Sequence, residues 1–190
     1  MKKLLTIAIC LVLIVLVTAC SQTENYSMSI KPSEFSEETL KVLDLFDDEL
    51  QFFNVKLNKT VKSYTMSVWV YRDGEWHEDG KTTGKIDFLS NQIAIKLTDN
   101  SYDLFVVDDS GHIKYSYPVL ETDFENSMGI GGSRVDREIP IELNKEMPIW
   151  VKIGTDKNSM SVTDITEDFR NSDCNAGIAI TLTVSDKVVE

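Results

Sequence analysis

Three aromatic residues grouped near one turn are the first place in this sequence where residue type and spacing suggest chemistry. Trp69 and Tyr71 fall on one face of an alternating run, and Trp76 follows just past Asp73-Gly74. A flat aromatic ring offers a large apolar face together with a polar handle. Such a face stacks on the C–H side of a pyranose or on a peptide side chain. Trp69, Tyr71 and Trp76 are therefore the candidate ligand-binding residues. The competing expectation is that a neighbouring amphipathic helix covers this face and makes it core.

A second pattern concerns carboxylates. Asp156, Asn158, Asp164 and Glu167 stand at positions 1, 3, 9 and 12 of a calcium-loop spacing. Position 5 is Met160, a poor calcium ligand, and position 6 is Ser161 where the sharp turn wants glycine. The pattern fails as an EF-hand. No metal is expected, with a looser calcium site at these four residues as the alternative.

The remaining reactive side chains are scattered. His77 and His112 each follow a turn, and neither has the helical i, i+4 spacing of a zinc protease. Gly131-Gly132-Ser133-Arg134 is glycine-rich but lacks the lysine of a phosphate-binding loop. No Gly-x-Ser-x-Gly nucleophile elbow occurs. The acid groups Asp47-Asp48-Glu49 and Asp108-Asp109 sit where solvated helix surface and hairpin turn are expected, though paired carboxylates are the equipment of glycoside hydrolysis. Cys174 lies beside Asp173, which disfavours its thiolate, and no base is near it in sequence. A small buried residue before a strand is the expectation there. No cofactor is expected.

The address is more specific than the chemistry. Lys2 and Lys3 precede an apolar run from Leu4 to Val17, and the run ends at Val17-Thr18-Ala19-Cys20. A positive start, an apolar middle and small residues before a cleavage point make a signal peptide. The run is shorter than the roughly 20 residues of a spanning helix. The string Val17-Thr18-Ala19-Cys20 resembles the lipobox of bacterial lipoproteins. That resemblance implies a diacylglyceryl group on Cys20, which becomes the first mature residue. Two acyl chains hold a protein on a bilayer, where one holds it only marginally. The helix-then-strands pattern with Trp69-Val70-Tyr71-Arg72-Asp73-Gly74-Glu75-Trp76 is similar to small uncharacterised lipoproteins of Gram-positive bacteria. Neither resemblance implies an activity.

Residues 1–19 are thus the signal peptide, 20–32 a lipidated polar tether, and 33–190 a single β-rich domain outside the cytoplasm. Without Lys2 and Lys3 the chain keeps 17 basic against 31 acidic side chains, a balance of −14. Such a surface repels nucleic acid and anionic headgroups and tolerates cations, peptides and neutral sugars. With Cys20 lipidated, Cys174 is the one thiol left, so the exported domain relies on its core rather than on a disulfide.

The positioning elements follow from periodicity. Ser36 caps a helix with Glu37 and Glu38 in its first turn. Leu40, Leu43, Phe46 and Leu50 form its apolar stripe. Phe53/Val55/Leu57 and Tyr64/Met66/Val68/Val70 alternate as strands, and Asp73-Gly74 marks a hairpin. Ile86/Phe88, Ile93/Ile95/Leu97, 102–107 and Ile113/Tyr115/Tyr117 continue an antiparallel meander, with a turn at Ser90-Asn91. Residues 121–136 read as the longest loop. Ile139/Ile141/Leu143, Ile149/Val151/Ile153 and Ile178/Ile180/Leu182/Val184 complete about nine strands, Pro140 favouring an edge. A helical turn is expected near 164–169.

The fold expected is a β-sandwich or open barrel with one N-terminal amphipathic helix. The function expected is a non-catalytic, lipid-anchored binding module for an envelope glycan, peptide or protein. An assembly accessory without a small ligand, and then a carboxylate hydrolase, are the alternatives. A binder exposes the aromatic trio or a groove beside 121–136, whereas an accessory presents an apolar patch or a free sheet edge.

Overall fold

The computed structural model describes residues 27–45, 50–86, 90–98, 101–108, 111–118, 122, 124–162 and 164–189. Cys20, with the segments expected to be signal peptide and most of the expected tether, lies outside the described residues, as do Phe46, Asp47, Asp48, Glu49 and Asp109. No helix among the described residues is long and apolar enough to cross a membrane.

Among the described residues, eleven strands form two antiparallel sheets. In chain order they are β1 (Ser29–Pro32), β2 (Leu50–Lys56), β3 (Ser63–Arg72), β4 (Glu75–Lys85), β5 (Ser90–Thr98), β6 (Ser101–Asp108), β7 (Gly111–Pro118), β8 (Gly129–Arg134), β9 (Ile139–Pro140), β10 (Met147–Thr155) and β11 (Ala176–Ser185). One sheet runs β7-β6-β5-β2-β1-β9 and the other β4-β3-β11-β10-β8. Alternate side chains of both sheets enter one core. Ile30, Phe53, Ile95, Tyr102 and Leu104 come from the first sheet, and Met66, Val68, Ile180 and Leu182 from the second. The expectation of a mainly β, antiparallel sandwich or open barrel holds, in the two-sheet form, and β5-β6-β7 form the meander.

The β3–β4 hairpin forms where Asp73-Gly74 marks it. Asp73 takes φ 53° and Gly74 φ 86°, the left-handed pair of a type I′ turn whose twist matches the strands. Asp79 is the extra residue of a bulge, between the Val68–Gly80 and Trp69–Glu78 pairs.

Five local expectations are corrected. Ser29–Pro32, read as tether, is strand, paired on both sides with Ile30 fully buried. The helix α1 (Glu37–Leu43) has its Ser36 cap, with the side chain accepting from Thr39 N, but buries none of its residues. Its stripe does not reach the aromatic face: Leu40 is exposed, and Leu50 already opens β2. Phe52, Phe53 and Val55 favour a pleated strand over further helix. Of the strand expected at Ile86/Phe88, Phe88 lies outside the described residues and Ile86 falls just past β4, which ends at Lys85, while the turn expected at Ser90-Asn91 gives way to β5, which begins at Ser90. Residues 129–134 of the supposed loop pair with β10. The strand expected over Ile139–Leu143 is only two residues long, at the sheet edge that Pro140 predicts.

Candidate functional site

The aromatic trio assembles, and two of its members, Trp69 and Trp76, are partly covered. Trp69 and Tyr71 stand on β3 opposite the fully buried Met66, Val68 and Val70, because successive strand residues face opposite sides. Tyr71 pairs directly with Trp76 across the hairpin, with ring centroids 5.5 Å apart at 70°. Behind them lies β11, where Gly177 is paired with Tyr71. A Cβ on Gly177 would come within 2.5 Å of the Trp76 ring, so the indole rests on bare backbone.

The cover is not α1 but a short 3-10 helix, Phe169–Asn171, capped by Asp168. Phe169 is buried and stands edge-on to Trp76 at 4.8 Å and 87°. It also meets Trp69 at 6.2 Å. The Arg170 guanidinium sits 4.1 Å from the Trp69 ring centroid and 4.3 Å from that of Phe169, where the ring quadrupole attracts a cation.

Glu146 fixes this arrangement. Its Oε1 accepts from Trp69 Nε1 at 2.9 Å and from Thr181 Oγ1 at 2.7 Å, and its Oε2 pairs with Arg170 at 2.8 Å. Arg170 also reaches Asp168 at 3.2 Å. One carboxylate thus ties β3, β11 and the 3-10 helix together. Phe169, Arg170 and Glu146 are the residues that sequence reasoning missed. Phe169 carried a helical-turn signal only, and nothing local links residues 146 and 170 to residue 69.

The carboxylate pattern does not assemble. Asp156, Asn158, Asp164 and Glu167 are all exposed. Asp164 Oδ1 accepts from Thr166 N at 2.9 Å and Thr166 Oγ1 at 2.7 Å, and its Oδ2 lies 3.5 Å from Arg137. These donors, Thr166 first, hold the Asp164 carboxyl below its ordinary range. The oxygens of this carboxylate are already engaged by Thr166 and Arg137. Among the described residues no group of three or more His, Cys, Asp or Glu side chains is placed to hold a metal.

The other candidates are dispersed. Cys174 is partly buried just before β11, and burial, with Asp173 adding to it, pushes its thiol up to about 11. His77 Nε2 lies 3.5 Å from Glu75 on the hairpin. His112 is exposed on β7, tilted against Phe105 at 6.2 Å.

The stretch 121–136 has a different character. Its strand β8 pairs with β10 alone and forms one edge of the five-stranded sheet. Met128 and Ile130 are 72% and 51% exposed there. Arg134, at the end of β8, also lines a groove of about 370 Å³ with Val135, Asp136, Phe35, Leu40 and Phe52. No protein-family model matches this chain, and no curated protein or solved structure does.

Proposed function

We propose that this chain is a lipid-anchored, extracytoplasmic, non-catalytic module that binds an extended peptide segment of an envelope protein along β8. The lipobox and signal peptide support the address. The observation that carries the binding reading is a contrast among sheet edges. Natural edges are protected by charge, proline, bulges or brevity. β4 carries Glu75, Glu78, Asp79, Lys81 and Lys85 and a bulge. β7 carries His112, Lys114 and Pro118, and β9 is two residues with a proline. β8, Gly-Ile-Gly-Gly-Ser-Arg, has one charge, at its end, and no proline. An added strand takes its affinity from such open backbone groups and its specificity from flanking pockets, and the groove at Arg134 is one.

The sugar-platform version of this reading has less support. Arg170 lies over the Trp69 ring and Phe169 packs against Trp76, which leaves less open aromatic surface for a sugar. The accessory-protein alternative draws on Leu40, Val42 and Leu45, exposed side chains on and just after α1.

Photo-crosslinking tests the proposal. p-Benzoylphenylalanine replaces Ile130 on β8 or, in a second strain, Thr83 on β4, in the full chain within its native envelope. A discrete protein adduct from position 130 alone is expected. Adducts from neither position, or the same adducts from both, would count against binding at β8.

A further inference from the structure

The net charge of −14 predicts a domain that anionic membranes repel, yet the fold gathers unpaired lysines at the end from which the tether leaves. The described chain enters the sandwich at Met28–Ser29. Ser29 pairs with Lys56 at the end of β2, and Met28 O accepts from Ile141 N at 3.1 Å. From Lys56 the chain runs directly through 57–62 into β3. There Lys62 N donates to Ser185 O at 2.7 Å, Ile86 N donates to Lys62 O at 3.0 Å, and Ser63 Oγ donates to Lys187 O at 2.7 Å. Lys62 Nζ reaches Lys59 O at 3.3 Å. Asn144 N, bonded to Val184 O at 2.8 Å, closes the same end.

These contacts bring Lys59, Lys62, Lys85 and Lys187 to one corner, all exposed. None of the four has an ion pair among the described residues, a state they share with Lys41, Lys96, Arg134 and Lys152; what sets them apart is that they converge on one corner, whereas Lys31, Arg72, Lys81, Lys114, Arg137, Lys157 and Arg170 elsewhere each face a carboxylate. Exposed Val188 and Val189 follow Lys187. Of three acids at this end, one is paired with a cation and two accept from neutral donors. Glu142 pairs with Lys145 at 2.7 Å, Asp186 accepts from Asn144 at 3.1 Å, and Glu138 accepts from Ser29 at 2.6 Å.

We infer that this lysine corner, Lys59, Lys62, Lys85 and Lys187, docks on anionic lipid headgroups of the membrane that holds the anchor. The inference rests on the lipid anchor at Cys20. Residues 20–28 reach at most about 30 Å when fully extended. The tether therefore keeps this end near the bilayer, while a charge acts on it only within about 10 Å. Lysine clusters beside a membrane anchor bind anionic leaflets, each lysine strengthening the association about fivefold. Docking holds the domain upright: α1 and the 72–75 hairpin lie at the opposite ends of the strands, facing away from the bilayer.

The test uses the lipidated mature protein reconstituted into phosphatidylcholine vesicles, with or without phosphatidylglycerol. Lysines are labelled with an amine-reactive reagent and quantified by mass spectrometry. Labelling of Lys59, Lys62, Lys85 and Lys187 should fall about fivefold in the anionic vesicles at low salt and recover at high salt. Lys41 and Lys157, at the far end, should label equally in both. A Lys59→Glu/Lys62→Glu/Lys187→Glu variant should lose the composition dependence at Lys85. Equal labelling of the four lysines in both vesicle types, on protein that stays bound through washing, overturns the docking inference alone. Protein that washes off both vesicle types overturns the anchor reading beneath it.

Discussion

The Phe169 ring stands edge-on to Trp76, with centroids 4.8 Å apart and planes at 87°. This pair turns what reads as a ligand platform into packing continuous with the hydrophobic core. Phe169→Ala should therefore cost about 3–5 kcal/mol, the range for removing a buried aromatic ring. Urea unfolding gives the loss. The tryptophan emission of the folded variant should shift to the red as water reaches Trp69 and Trp76. Unchanged stability and emission would mean that Phe169 is not the cover.

The outline of the fold was legible because it depends on local periodicity. Met66/Val68/Val70 and Ile178/Ile180/Leu182 alternate, and Asp73-Gly74 has one favoured hairpin geometry. What stayed hidden depends on pairing at a distance. β4 shows no apolar alternation, since Glu78, Asp79, Gly80 and Lys81 lie on an edge, and only its register with β3 makes it a strand. β8 is glycine-rich and reads as loop, yet β10 supplies its ladder. The site was half legible. Trp69, Tyr71 and Trp76 stand out as residue types. Their cover comes from residue 169, about a hundred positions away, and the link through Glu146 has no sequence signature. The lysine corner was likewise invisible, because a net charge carries no information about where the charges lie.

Glu146 is the tie between the cover and the sheet. Glu146→Ala removes the acceptor for Trp69 Nε1 and Thr181 Oγ1 and leaves Arg170 without its partner. A loss of about 2 kcal/mol is expected, the scale of hydrogen bonds to a charged group. Glu146→Gln keeps one acceptor and should recover part of it. The comparison of the two midpoints in denaturant is the check.

Gly177 carries no side chain because Trp76 occupies the space. Gly177→Ala places a methyl group within 2.5 Å of the indole and should destabilise the domain by about 1–3 kcal/mol, as overpacking does. A thermal melt reads this directly. The same substitution at Gly74 meets no atoms and acts through its φ of 86° instead.

Cys174 should be a slow thiol. Burial first, and then Asp173, raise it from 9.0 to about 11, so the folded state favours the protonated form. A group raised in the fold contributes stability below its unfolded value, and that contribution is lost as pH rises from about 9 to about 11. At pH 8 the native protein should react with a maleimide far more slowly than the urea-unfolded chain, because the thiolate is the nucleophile. Equal rates would contradict this.

The lipid anchor proposed at Cys20 underlies both the binding proposal and the docking inference, and palmitate labelling of cells expressing the wild type or Cys20→Ala tests it most directly. The wild type should take up the label and fractionate with the membrane. The variant should accumulate as a larger, unlabelled precursor. Normally sized, lipid-free mature protein from the variant would contradict the account.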